Sequence, residues 1–248
     1  MNCNLVIDVG NSTIKLFVVE GFNILHVSNY ESISDIDYVF TLFPNIKNGI
    51  YSASGKDCED LKSYLSEKLC KFVVFNHTIP IPITNCYNTP ETLGMDRLAG
   101  AIGVNHFFPN QNILIFDFGT AITIDFLNSN NFLGGNISPG LLTRFKSLSQ
   151  FTNKLPLLSK PQVIEDFGKT TTEAIESGIV TGIIGEINYY IQKYGRYKVV
   201  FTGGDSFYFA EKIKSPIFVF RNPVVFGLNK VLTYNNGEMS KLWHGSCF

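Results

Sequence analysis

The chain has 248 residues, with 20 Lys and Arg against 21 Asp and Glu, a net charge of -1, 45% hydrophobic and 17% charged residues. That balance suits a compact chain long enough for one large domain or two small ones, and it excludes a disordered polyanion, a nucleic-acid footprint and a polybasic membrane patch. Asp8 interrupts the apolar run near the N-terminus and no cationic segment precedes it, so a cytoplasmic protein without a signal peptide is expected.

Along the chain, residues 5–7 and 14–19 are apolar, β-branched runs flanking Gly10-Asn11-Ser12, which reads as strand, tight turn, strand. Residues 95–108 carry Leu98, Ala101, Ile102 and Asn105 at helical spacing, giving a helix with one face turned inward. HFFPNQN at 106–112, with Pro109 inside it, reads as the junction that ends this helix. The segment ILIFDFGTAITIDFL at 113–127 then repeats the opening grammar, aligning Asp117 with Asp8 and Gly119 with Gly10. Two copies of one strand-Asp-turn-strand unit predict an internally duplicated α/β protein, with halves at 1–109 and 110–232 and a tail at 233–248.

Farther on, residues 170–195 place Ile175, Ile179, Ile183, Ile187 and Ile191 at every fourth position, the core stripe of a long helix. Glu176 and Glu186 within it rule against a membrane span. Gly178, Gly182 and Gly185 each lower helix propensity by roughly 1 kcal/mol relative to Ala, which points to close approach of another backbone. Val199-Val200-Phe201 before Thr202-Gly203-Gly204-Asp205 reads as a buried strand ending in a permissive turn.

The candidate chemistry rests on acidic residues at strand ends. Asp8 and Asp117, beside turns whose N–H groups point outward, can hold a hydrated divalent cation and the phosphates it bridges, with Ser12, Thr13 and Thr120 as hydroxyl donors. Either Asp-x-Gly alone reads as an ordinary β-turn; the duplication favours two facing hairpins that make one cleft between two halves. GxxxxGK[ST], GxGxxG opening a helix and HRD are all absent. Asp96 and Arg97 fall in the first turn of a helix after Gly94, where the dipole favours an anion. A carboxylate there could accept the proton of an attacking hydroxyl, and Arg97 offers forked donors to a carboxylate or phosphate, although an acidic first turn is also an ordinary helix start. His26, His77, His106 and His244 lack a partner at ligand spacing, and Trp243 belongs to the tail. The cysteines Cys3, Cys58, Cys70, Cys86 and Cys247 are odd in number and lack metal-ligand spacing, so reduced thiols are expected.

Seven motifs in order resemble the type III pantothenate kinases, relatives of actin, Hsp70 and sugar kinases: DVGNSTIK from Asp8, Tyr87 through GMDR, DFGTAITID from Asp117, GGNISPG from Gly134, KLP from Lys154, TTTEAIESG from Thr170 and FTGGD from Phe201. The resemblance spans about residues 5–229 and implies duplicated ribonuclease H-like, actin-like ATPase halves, with mixed β-sheets flanked by helices. It further implies phosphorylation of pantothenate by Mg²⁺-ATP at the opening of coenzyme A synthesis. Asp96 would be the catalytic base. Asp8, Val9, Gly10, Asn11, Ser12, Thr13, Ile14, Lys15 and Thr120 would contact ATP. Tyr87, Gly94, Met95, Asp96, Arg97 and Thr171 would line the pantothenate pocket, with Thr170 and Thr172 one register step away. Asp117 would bind a monovalent cation, K⁺ or NH₄⁺. The family is dimeric, so a homodimer without nucleic-acid or membrane partners is expected. Ser12 stands where the family usually has Thr, and Asn153 where a small residue precedes KLP. The alternatives are a kinase of another small alcohol or sugar on the same fold, or a non-catalytic regulatory accessory protein.

Overall fold

The structure is a computed structural model and describes residues 3–10, 13–55 and 57–237. Asn11 and Ser12 of the first turn, and Trp243, His244 and Cys247 of the tail, lie outside the described residues. By internal packing the chain divides into two units, one comprising residues up to Pro109 and from Asn222 onward, the other Asn110–Arg221.

The first unit is built on a sheet of β1 (Asn4–Val9), β2 (Ile14–Glu20), β3 (Asn23–Tyr30), β4 (Asn48–Ala53) and β5 (Lys71–Val74). Its helices up to the unit boundary are α1 (Ile33–Leu42), α2 (Glu59–Lys68) and α3 (Met95–Phe107), with a short strand β6 (Thr84–Asn85) and a 3₁₀ turn at Pro90–Thr92 leading into α3. The strand order is β3-β2-β1-β4-β5. β2 runs antiparallel to both β1 and β3, and β4 and β5 run parallel to β1. Leu5, Ile7, Val9, Leu16 and Val18 pack on Ile36 and Val39 of α1 and Leu61 and Leu65 of α2. Each such side chain, fully buried, contributes roughly 1.5–3 kcal/mol.

The second unit repeats the plan. β7 (Ile113–Phe118), β8 (Ala121–Asn128) and β9 (Asn131–Pro139) are antiparallel neighbours, and β10 (Lys198–Thr202) and β11 (Ile217–Val219) run parallel to β7. The order β11-β10-β7-β8-β9 is that of the first sheet, strand for strand. The expected duplication is therefore present in the hydrogen bonding as well as in the motifs. The helices are α4 (Leu141–Phe151), α5 (Thr171–Lys193) and the short α6 (Ser206–Ala210). Ile175, Ile179, Ile183 and Ile187 of α5 pack with Phe116, Phe118 and Ile124 of the sheet, as the four-residue spacing required. Thr170 caps α5 reciprocally with Glu173, whose carboxylate accepts the Thr170 N–H at 3.2 Å while Thr170 Oγ1 accepts the Glu173 N–H at 3.2 Å.

Two expectations differ from the structure. A Cβ added at Gly178 or Gly185 would meet open space, and at Gly182 only the Arg144 guanidinium at 3.7 Å. These three glycines face outward and admit no backbone within the described residues, because the stripe that packs is the isoleucine face. The last helix, α7 (Pro223–Asn235), belongs to the first unit instead of ending the second, and it runs three residues past the point where the tail was expected to begin. Its backbone meets α3 at Gly103 and Gly227, where a Cβ would come within 2.0 Å of the Pro223 carbonyl oxygen and 1.8 Å of the Ala99 carbonyl oxygen. The Asn229 carboxamide also accepts from Asn4 Nδ2 at 2.8 Å, tying α7 to β1. Among the described residues no helix is long and apolar enough to cross a membrane. The four described cysteines are free thiols.

Candidate functional site

In the first unit Asp8 stands near the end of β1, opposite Lys15 of β2 in the antiparallel register and Ser52 of β4 in the parallel one. The Gly10 N–H donates to the Thr13 carbonyl at 3.0 Å and closes the turn. The backbone after β4 folds onto the same strand end, with Ser54 and Gly55 N–H groups both donating to the Val9 carbonyl at 2.9 and 3.2 Å. Thr13 and Lys15 are exposed, and Val9 is buried. The sequence carried no signal for the Ser54-Gly55 contact, because it depends on the parallel pairing of β1 with β4.

Asp96 sits in the first turn of α3 and its Oδ1 accepts the Arg97 N–H at 2.8 Å. Gly94 precedes the helix, and a Cβ there would lie 2.6 Å from Asp96 Oδ1, so glycine leaves the carboxylate its place over the helix N-terminus. The Arg97 guanidinium lies 5.9 Å from the centre of the Tyr87 ring, within cation–π reach. Tyr87, Gly94, Met95, Asp96 and Arg97 are all half-buried.

Burial and the negative charge of Asp96, partly offset by Lys15, push the Asp8 carboxyl up to about 6 from its ordinary 3.8. A carboxyl whose folded value is raised contributes stability that is complete below pH 3.8 and is lost as pH climbs through 6. The loss is on the order of 3 kcal/mol for a shift of this size. Asp8→Asn removes it, so the ligand-free variant should resist urea better than the parent at pH 8, with the advantage shrinking at pH 5. An advantage equal at both pH values would contradict the upward shift that burial and Asp96 impose on Asp8.

In the second unit three motif loops converge on the ends of β7 and β10. Asp117 pairs in register with Thr202 of β10 and Thr123 of β8. Gly203 holds φ at +87°, and a Cβ there would meet Asp117 Oδ1 at 2.4 Å and the Phe118 nitrogen at 2.6 Å. Gly140 closes the hairpin from another side: its N–H donates to the Thr120 carbonyl at 2.9 Å, and a Cβ would lie 2.1 Å from the Gly119 carbonyl oxygen. Thr143 donates its hydroxyl to the same Thr120 carbonyl at 2.7 Å, leaving the exposed Thr120 side chain at the tip.

The acidic end of the FTGGD loop is held by Lys160, whose ammonium lies 2.7 Å from Asp205 Oδ1. Arg144 of α4 joins the Pro139 carbonyl, the Ser138 hydroxyl and the Glu186 carboxylate. Neither pairing has a local sequence pattern that would have revealed it. Thr171 is the first, exposed residue of α5, and Thr170 beside it spends its hydroxyl on the helix cap. Asp8, Tyr87, Gly94, Met95, Asp96 and Arg97 thus belong to the first unit; Asp117, Thr120 and Thr171 belong to the second.

Residues 4–193 match the family model of the type III pantothenate kinases. The chain belongs to the type III pantothenate kinase family. A type III pantothenate kinase of Bacteroides fragilis strain ATCC 25285 is 40% identical over 246 residues, covering 95% of this chain and all of the relative. Among solved structures, a Campylobacter jejuni protein assigned to the Baf family of transcriptional activators has a TM-score of 0.62 at 24% identity, with 94% of this chain and 98% of that one covered. The polyphosphate/ATP-glucomannokinase of an Arthrobacter species has a TM-score of 0.53 at 12% identity, covering 95% of this chain and all of that one. At these identities the solved structures speak for the fold, which in this pantothenate kinase family member is the expected pair of ribonuclease H-like, actin-like ATPase halves.

Proposed function

We propose that the protein transfers the γ-phosphoryl group of ATP to the primary hydroxyl of pantothenate, the first step of coenzyme A biosynthesis. Full-length relatedness to enzymes named for that reaction supports the activity. The arrangement at the start of α3 carries the mechanism: a carboxylate at a helix N-terminus, with a guanidinium and a tyrosine ring beside it.

In this mechanism the γ-phosphoryl group passes through a loose transition state, so the protein supplies position and charge more than covalent chemistry. Asp96 takes the proton of the acceptor hydroxyl as its oxygen attacks in line. Arg97 pairs with the pantothenate carboxylate through its forked donors, and Tyr87, Gly94 and Met95 shape the pocket around the acceptor. Thr171, at the start of α5, is a further pantothenate contact in this reading. Asp8 to Lys15 approach the ATP phosphates, with Lys15 as the cation of that segment and Thr120 as a nucleotide contact.

Mg²⁺ enters with ATP and offsets charge on its phosphates. A monovalent cation would be held by the Asp117 carboxylate at the end of β7, where glycine at 203 lets the FTGGD backbone pack close beside that carboxylate. K⁺ or NH₄⁺ held there would supply fixed positive charge to offset that of the phosphates. The working form is a cytoplasmic homodimer, and the outward Gly178, Gly182 and Gly185 face of α5 is the surface on which a second copy would close.

Acceptor choice tests the reading. In an ADP-release assay with pantothenate, glycerol, glucose and N-acetylmannosamine, pantothenate is expected to give a kcat/KM at least about 10²-fold above the others, as a site built to pair a carboxylate rejects molecules lacking one. A sugar preferred over pantothenate would overturn the assignment.

A further inference from the structure

At the end of α3 away from Asp96, the first unit holds a cavity of about 120 Å³ that none of the seven motifs reaches. Its walls come from Gly21 and Phe22 at the β2–β3 turn, His106 of α3, and Phe226, Asn229 and Lys230 of α7. Gly21, at φ +57°, sets the turn that carries the next residue over the helix. Phe22 is 56% exposed, yet its ring lies nearly flat on the His106 imidazole, with centroids 4.9 Å apart and planes 15° from parallel. Phe107 meets Phe22 edge-on at 5.1 Å and Phe226 at 5.4 Å, so the aromatic wall is braced from behind.

The polar group at its floor is already used. Asn229 Oδ1 accepts from Asn4, and its Nδ2 donates to the Gly21 carbonyl at 3.2 Å. Lys230 is different: among the described residues no carboxylate lies within ion-pair distance of its ammonium. Burial and the Lys230 charge hold His106 below the ordinary imidazole range, so at neutral pH the ring presents an uncharged face next to one cation. The volume limits the guest. At about 120 Å³ the cavity is smaller than the roughly 150 Å³ that encloses benzene, and its Phe22 wall is open to solvent, so it admits part of one ring with the polar end outside and excludes a nucleotide. Three aromatic rings disfavour a fully hydrated ion such as phosphate, while one ammonium favours a negative end.

We propose that this cavity binds a one-ring organic anion, of which an aromatic carboxylate is the simplest, with the ring on Phe22 and Phe226 and the carboxylate on Lys230. The site shares no residue with the proposed phosphoryl transfer, and its occupancy is measured without ATP or pantothenate.

Ligand-observed NMR titration of the full chain with benzoate, benzyl alcohol and acetate tests the proposal. Benzoate should bind with a Kd on the order of 1 mM, about tenfold tighter than either of the others, since it alone has both the ring and the charge. Lys230→Gln should bring benzoate to the level of benzyl alcohol and leave the alcohol unchanged, and Phe22→Ala should weaken both ring compounds. Both positions are at the surface of the unit, and unaltered melting temperatures would show that the variants remain folded. Benzoate binding no tighter than benzyl alcohol, or equal binding in parent and both variants, would overturn the assignment.

Discussion

Asp96→Asn is expected to lower kcat by about 10²- to 10⁴-fold, the usual worth of a positioned general base, while leaving ATP affinity near that of the parent. The substitution is structurally mild. Asn keeps an oxygen at Oδ1 to accept the Arg97 N–H that Asp96 accepts at 2.8 Å, so the first turn of α3 and the placement of Arg97 over Tyr87 should survive. What disappears is proton-accepting capacity beside the acceptor hydroxyl. The amide also removes the negative charge that helps hold the Asp8 carboxyl at about 6, so Asp8 should titrate closer to 3.8 in the variant. Steady-state ADP release with pantothenate reads the first effect, calorimetric titration of ATP the second, and the ¹³C shift of the Asp8 carboxyl the third. A kcat within threefold of the parent would remove Asp96 from the role of base.

Gly227→Ala should have the largest effect on stability, and Gly103→Ala one close to it. At either position the new methyl would overlap a carbonyl oxygen of the facing helix, at 1.8 Å from Ala99 or 2.0 Å from Pro223, and a backbone atom cannot rotate away. The helices must separate, opening the seam where Ala99, Gly100 and Gly103 of α3 face Pro223, Val224 and Gly227 of α7. Overpacking against fixed backbone costs about 3 kcal/mol, the upper end of its usual range, and helix propensity returns roughly 1, so each variant should lose on the order of 2 kcal/mol. Gly100→Ala on the same face offers the contrast. Its Cβ would sit 3.8 Å from a Val224 methyl, an ordinary contact, so it should be neutral or gain up to about 1 kcal/mol. Urea unfolding separates the three, and loss of stability in Gly100→Ala equal to that in Gly227→Ala would contradict the packing described for this helix pair.

Local and repeated features were legible in the sequence. The paired strand-Asp-turn-strand units gave the duplication, and the isoleucine spacing gave the buried face of α5, because both are periodicities of a single element. The start of α3 was legible too, since Gly94 and an acidic first turn are local signals. Contacts that join distant segments were not. The return of α7 to the first unit depends on Gly103 meeting Gly227 across more than a hundred positions, and no pattern near either glycine distinguishes them from Gly178 and Gly185, which face outward. The bracing of the Asp117 hairpin by Gly140 and Gly203 follows the same rule: the motifs named the residues, and only the fold shows which oxygen each glycine makes room for. The Phe22–His106 wall was invisible for the same reason, as a stacked pair needs two rings brought together by tertiary structure.

The most direct measurement of the central claim is ADP release by the purified chain with Mg²⁺-ATP, with and without pantothenate and with K⁺ replaced by Na⁺, the product being followed by ³¹P NMR. ADP formation that requires pantothenate, falls when K⁺ is withdrawn and matches the appearance of 4′-phosphopantothenate is the predicted result. ADP formed at the same rate without pantothenate, or no turnover from protein that still binds ATP, would contradict it.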